Sequence, residues 1–202
     1  LARDPNNRLY QLQVAALNVD LRRWEEARKR IESVRKAKDG LDILQVDATF
    51  SADQSDLPGA NTKFRQYVDG LKANKAPNEE ITDALIAMAR FFANRDNLQT
   101  AAAALEEARQ TQDPAKMQAD RILAELYLDN GDSERAIEAL RRIAATDKEG
   151  KEDFVRLRLA EALVQARKFD ESEKELAALR PETKDGAVAL LVKADDIGLA
   201  LA

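Results

Sequence analysis

Apolar side chains recur along this chain at the spacing of an amphipathic helix, and turn residues interrupt the pattern at intervals. In the clearest stretch, Leu123, Leu126 and Tyr127 follow one another at three and four residues, which places them on one helical face. Gly131 then suits a left-handed turn, and Asp132 suits the cap of a following helix. A second apolar face follows, formed by Ala136, Ile137, Leu140 and Ile143. The stretch therefore predicts a helix, a tight turn and a second helix.

The same pattern recurs along the whole chain, so we looked for a fixed period. One small residue falls early in each predicted second helix, at Ala27, Ala60, Ala101, Ala136 and Ser172, with intervals of 33, 41, 35 and 36 residues. A small residue is expected where two helices cross closely. The interval of 41 predicts a longer connection between Asp69 and Asn78, where Gly70 and Pro77 break the pattern.

This period predicts five helical hairpins, the second of which has a polar first helix. The segment after them is apolar and is predicted to be the first helix of a sixth hairpin. Trp24 opens a predicted second helix, and we expect it to pack between hairpins rather than to stack on a ligand. The predicted units cover residues 8–40, 41–76, 78–113, 114–149 and 151–184, with the unpaired helix at 186–202.

These residues resemble the tetratricopeptide repeat, a helix-turn-helix unit of 34 residues. The columns of that family match best at Leu123, Ala124, Tyr127, Ala136, Leu140 and Ile143, and its closing Asp-Pro matches Asp113-Pro114. The resemblance covers essentially all 202 residues. It implies an all-α fold, a right-handed superhelix (solenoid) in a single segment spanning 1–202.

Composition excludes several classes of site within this chain. There is no cysteine and no histidine, so disulfides, Cys/His zinc sites, thiol nucleophiles and imidazole bases are all excluded. The formal net charge is -5, which disfavours a nucleic-acid-binding surface. No apolar run approaches the roughly 20 residues that span a bilayer.

Catalysis would have to depend on residues such as a carboxylate pair, for which Glu125 and Glu161 are candidates. With 37 acidic residues, however, pairs arise by chance and usually lie on solvated helix faces. Gly131 and Gly150 are interpreted as turn residues, not as parts of a phosphate-binding loop. We therefore predict no catalytic residues, no cofactor and no metal site.

The resemblance instead implies a concave binding surface formed by the first helices. In each first helix, the groove positions lie three residues before and one, four and five after the small residue, which is Ala89, Ala124 or Ala160 here. Arg90, Arg121 and Arg158 could grip an acidic segment of a partner, in competition with their acidic neighbours. The predicted groove residues are Ile86, Arg90, Asn94, Arg121, Glu125, Asp129, Leu157, Arg158 and Glu161; Ala93, Leu128, Val164 and Gln165 occupy the other positions.

The sequence thus predicts a protein-binding scaffold that holds a peptide or helix in its groove. The chain begins at Leu1 rather than Met, so we expect a segment of a longer protein. Its composition resembles bacterial arrays of the family, including those of envelope and exopolysaccharide export systems. The alternative is a targeting or spacer array attached to a catalytic domain, such as a glycosyltransferase. The compartment stays open between cytoplasm and periplasm, and the apolar segment 186–202 is expected to promote self-association.

Overall fold

The computed structural model describes residues 7–37, 40–146 and 153–179, and within these ranges it contains helices and turns but no strand. The predicted sixth helix at 186–202 lies outside the described residues. Clustering of contacts divides the chain into two units, Leu1–Met88 (unit 1) and Ala89–Ala202 (unit 2). The boundary falls inside the fifth helix.

The described residues form ten α-helices, and each of the five predicted intervals contains two of them. A 3₁₀ turn, Leu41–Ile43, precedes the third helix. Within unit 1, α1 packs on α2 and α3 on α4; within unit 2, α7 packs on α8 and α9 on α10. The helices are α1 (Arg8–Asp20), α2 (Trp24–Ala37), α3 (Leu44–Asp53), α4 (Leu57–Ala73), α5 (Asn78–Ala93), α6 (Leu98–Ala108), α7 (Gln118–Asp129), α8 (Ser133–Thr146), α9 (Asp153–Gln165) and α10 (Phe169–Ala177).

The turn inside each hairpin has the same backbone geometry in all five copies. One residue has a positive φ between 56° and 71°, and it always lies seven positions after the small residue of the first helix. The next N–H donates to a carbonyl of the preceding helix at 2.8 or 2.9 Å, as in the Schellman motif. The left-handed residues are Arg22, Ser55, Asp96, Gly131 and Arg167.

The residue that follows the left-handed turn residue is the N-cap of the second helix, and its type decides whether a side-chain cap forms. Asp56, Asn97 and Asp132 each accept a hydrogen bond from a backbone N–H three residues later, at 2.8, 3.3 and 3.3 Å respectively. Lys168 has the same position and makes no side-chain cap. A shared turn therefore does not require a shared cap.

Small residues mark the crossing of the two helices in every hairpin. Ala27, Ala60, Ala101 and Ala136 are fully buried. Twelve residues before each lies a second alanine that is at most 1% exposed. In the last hairpin the hydroxyl of Ser172 donates to the carbonyl of Ala160 at 3.0 Å. A side chain larger than serine would separate these backbones.

The predicted long connection near Gly70 is wrong. Helix α4 continues through Gly70 to Ala73, and only residues 74–77 connect it to α5. The glycine is explained by packing, because a Cβ at this position would lie 2.2 Å from a methyl carbon of Leu41. The extra length of this repeat is thus part of helix α4. Because Gly70 has no side chain, Leu41 of the 3₁₀ turn can pack directly against α4.

The described core of unit 1 joins the first two hairpins. Leu12, Ile31, Val34 and Ile43 form a buried cluster together with Ala15, and Phe50 packs against it. Trp24 meets Phe50 edge to face at a centroid distance of 6.3 Å, so it packs between hairpins as expected.

Two buried carboxylates link consecutive repeats. Asp120 of α7 is 1% exposed, and its Oδ1 lies 2.6 Å from Arg142 Nε and 3.0 Å from Arg109 Nε. Gln112 donates to its other oxygen at 2.6 Å. In unit 1, Asp47 of α3 pairs in the same manner with Arg35 and Lys63. Such burial is tolerated because each charge is paired and hydrogen-bonded.

Candidate protein-binding groove

In unit 1, a cavity of about 160 Å³ lies between α1 and α3. The groove offsets that were used for Ala89, Ala124 and Ala160 can also be applied to Ala15 and Ala48, the buried alanines of α1 and α3. They give five of the six residues that line this cavity. Those five are Ala16, Val19, Asp20, Gln45 and Thr49, and Val46 is the sixth.

A second cavity of about 520 Å³ lies beside the first and involves α3, α4 and the first turns of α5. Gln45 lines both cavities, which are therefore adjacent, and we refer to the two together as the unit 1 groove. The second cavity is otherwise lined by Tyr67, Pro77, Glu79, Glu80, Asp83, Ala84 and Ala87.

Tyr67 is the one aromatic residue among those lining the unit 1 groove. Burial, reinforced by the Glu80 carboxylate, raises the pKa of its hydroxyl. The hydroxyl therefore stays protonated at neutral pH, and it can donate a hydrogen bond to a carboxylate or to a partner's carbonyl.

In unit 2, one arginine organises the predicted groove residues of α7 and α9. Arg158 Nη2 and Nε bond both carboxylate oxygens of Glu125, the second at 3.2 Å, and Nη1 bonds Glu161 at 2.7 Å. The hydrogen bonds to Glu125, opposed in part by burial and reinforced by Glu161, raise the pKa of the Arg158 guanidinium. The carboxylates considered as a catalytic pair therefore share one cation.

The other predicted groove residues differ in their availability. Arg90, Asn94 and Asp129 are exposed, and Leu157 is half-buried. Arg121 is also half-buried, and its Nε donates to the carbonyl of Lys116 at 3.3 Å. Ile86 is only 3% exposed, so its side chain belongs to the core of unit 1 and is not presented to a partner. The set as a whole stays a prediction.

The residues of the unit 1 groove were not named from the sequence. The signal was present, because Ala15 and Ala48 stand twelve residues before Ala27 and Ala60. The sequence predicts a polar first helix for the second repeat, however, and this helix contains Asp47 and Ser51. Both side chains are buried and bonded to Lys63, so they belong to the interior.

The described residues contain no group of three or more acidic side chains placed to bind a metal ion. Nor is any helix in the described ranges both long and apolar enough to cross a bilayer.

Comparison with known proteins identifies the fold through structure alone. No protein-family profile matches the chain, and no curated protein does. Many solved structures are similar to it, and three of them, at 14–18% identity, serve as examples. A kinesin light chain with TPR-like repeats from Podosopora anserina has a TM-score of 0.55, covering 95% of this chain and 98% of that one. The C-terminal part of a TPR repeat-containing protein from Cytophaga hutchinsonii has a TM-score of 0.57, covering 88% and 67%. BtubC from P. vanneervenii has a TM-score of 0.54, covering 91% and 80%. The chain therefore has the tetratricopeptide-repeat fold, an all-α helical-repeat solenoid.

Proposed function

We propose that this chain is a non-catalytic scaffold that binds an extended peptide or a helix of a partner protein, as part of a larger assembly. The binding surface consists of the unit 1 groove and, in unit 2, the face of α7 and α9 that carries Glu125, Arg158 and Glu161. One observation carries the proposal. Repeat positions expected to face a ligand account for five of the six residues around the cavity between α1 and α3.

The chemistry of both surfaces suits a protein ligand. Half-buried Leu128, Leu157 and Val164 alternate with charged side chains on α7 and α9, and such mixed surfaces are typical of protein interfaces. The ion pairs of Arg158 also hold its side chain in place before a partner arrives, which lowers the entropy lost on binding.

The proposal is tested by selecting short peptides from a random display library against the purified chain. Affinities are then measured for two matched pairs of variants, with circular dichroism as the check on folding. Thr49→Arg in the unit 1 groove is paired with Ser33→Arg on exposed α2, and Asp129→Arg of α7 is paired with Glu138→Arg on α8. We expect a selected peptide to lose affinity for one groove variant and to keep it for the paired control.

Two results would contradict the proposal. Selected peptides that depend on Ser33 or Glu138 would place binding on the second helices. If repeated selections give no peptide at all, a spacer or targeting array becomes the better interpretation.

A further inference from the structure

Charge is unevenly distributed in unit 1. Residues 1–88 contain equal numbers of acidic and basic side chains, so the segment is neutral as a whole. The residues that line the unit 1 groove nevertheless include four carboxylates and no lysine or arginine. Seven of the basic residues lie exposed on α2 and the turn before it: Arg22, Arg23, Arg28, Lys29, Arg30, Arg35 and Lys36.

The requirements of helix stability explain only part of this segregation. Glu79 and Glu80 lie in the first turn of α5, where acidic side chains complement the helix dipole. Asp20, by contrast, is the last residue of α1, where the dipole disfavours an anion and favours a cation. Neither α1 nor α3 has a basic residue in its last turn, whereas α2 and α4 do. The acidic end of α1 is thus unfavourable for the helix itself.

Between these carboxylates the groove is apolar and shallow. The apolar side chains that it presents are those of Ala16, Val46 and Ala87, which are short, and buried Val19 and Ala84 lie beneath them. A partner that fits must therefore present small apolar groups to the floor and cationic groups to the rim. Tyr67 is half-buried and lines the second cavity, so its ring is an additional candidate contact for a guanidinium or ammonium group.

From this geometry we infer that the unit 1 groove binds a partner segment in which lysine or arginine alternates with small apolar residues. The inference rests on the proposed function and adds the chemistry of the partner. It differs from the sequence-based expectation, in which groove arginines would hold an acidic segment. Arg158, one of those arginines, is already bonded to two carboxylates.

The test uses three fluorescein-labelled peptides of equal length and measures binding by fluorescence anisotropy. The first alternates lysine with alanine and valine; the second and third replace every lysine by glutamine or by glutamate. We expect the lysine peptide to bind most tightly, with an affinity that falls as salt rises because rim charges are screened over about 10 Å at 0.1 M salt. Asp20→Asn and Asp83→Asn should each weaken it about two- to fivefold, the range for exposed charge pairs. The control Glu32→Gln on exposed α2 removes a charge elsewhere in unit 1 and should change nothing.

The possible outcomes separate the inference from the function on which it rests. If the glutamine or glutamate peptide binds more tightly and loses affinity with Thr49→Arg, the groove binds peptides but the inferred charge preference is wrong. If the lysine peptide responds equally to Glu32→Gln and Asp20→Asn, attraction is non-specific and the inference fails. If neither these peptides nor any library peptide binds, the proposed function fails as well.

Discussion

Replacing Gly131 with alanine should destabilise the protein by about 0.5–1 kcal/mol. Gly131 has a φ of 71°, and no atom lies within 4 Å of the position that its Cβ would take. The change therefore creates no clash with other residues, and only the backbone conformation is affected. A left-handed backbone costs an L-residue about 1–2 kcal/mol in the folded state. Alanine also restricts the unfolded chain more than glycine does, which stabilises the fold by about 0.4–1 kcal/mol and offsets part of that cost.

The equivalent turn of the last hairpin allows the opposite change, from an L-residue to glycine. Arg167 has a φ of 58° at the equivalent position of the last hairpin. Arg167→Gly removes the left-handed strain of an L-residue and should stabilise the protein by a similar amount, about 0.5–1 kcal/mol. Ala103→Gly is the control, because Ala103 is an exposed residue inside α6, where glycine should destabilise by about 1 kcal/mol.

The measurement is urea unfolding followed by circular dichroism, with midpoints compared at unchanged slope. Opposite signs for Arg167→Gly and Ala103→Gly would identify a left-handed residue at the turn. If Arg167→Gly instead destabilised the protein as Ala103→Gly does, or if Gly131→Ala had no effect, the shared turn geometry would be wrong.

Three further predictions concern packing and charge, each measured by urea unfolding. Asp120→Ala should destabilise by about 3 kcal/mol, because it removes the buried carboxylate that Arg109 and Arg142 share, although Arg109 keeps its pair with Glu106. A loss below about 1 kcal/mol, the range of surface ion pairs, would refute this. Ala136→Leu should cost about 1–3 kcal/mol by overpacking the helix crossing, whereas Ala103→Leu at an exposed position of α6 should be near neutral. Hydrogen bonds from Arg8 lower the pKa of Asp42 in the folded protein. The pair therefore stabilises the fold above the ordinary carboxyl pKa of about 3.9, and this contribution is lost as pH falls through the lower pKa of the folded state. Arg8→Gln should remove this contribution to the pH dependence of unfolding, and an unchanged pH dependence would contradict the prediction.

The register of the repeats could be predicted because it depends on local features of the sequence. Small residues recur where helices cross, and Gly131 marks one left-handed turn. The other four turns have arginine, serine or aspartate at that position, so residue type alone would have found one turn of five. The positions of these turns follow from the paired small residues, such as Ala15 and Ala27. The two members of each pair are twelve residues apart, and the turn lies between them in every copy.

Features that depend on contacts between helices could not be predicted. Asp47 and Ser51 look like solvent-facing residues in the sequence, yet α3 buries both because Lys63 from α4 reaches them. Gly70 looks like a helix end, and only the approach of Leu41 reveals why glycine lies within α4. Ile86 occupies a groove position by count but is buried in the core of unit 1. Position in the repeat sets where a residue lies, whereas packing against other helices determines its exposure.

First helices that end in an acidic residue occur in unit 2 as well as in unit 1. Asp20, Asp53 and Asp129 are the last residues of α1, α3 and α7, and each lies five residues after the small residue of its helix. Each is placed against the helix dipole, at a cost of about 0.3–1 kcal/mol. The turn itself does not require an acid, since Asn94 and Gln165 occupy the same position before turns of the same geometry. Neither the helix dipole nor the turn geometry therefore requires the carboxylate of Asp20. Within unit 1, a cationic partner at this end of α1 would offset the cost, in accord with the charge preference that we infer for the unit 1 groove.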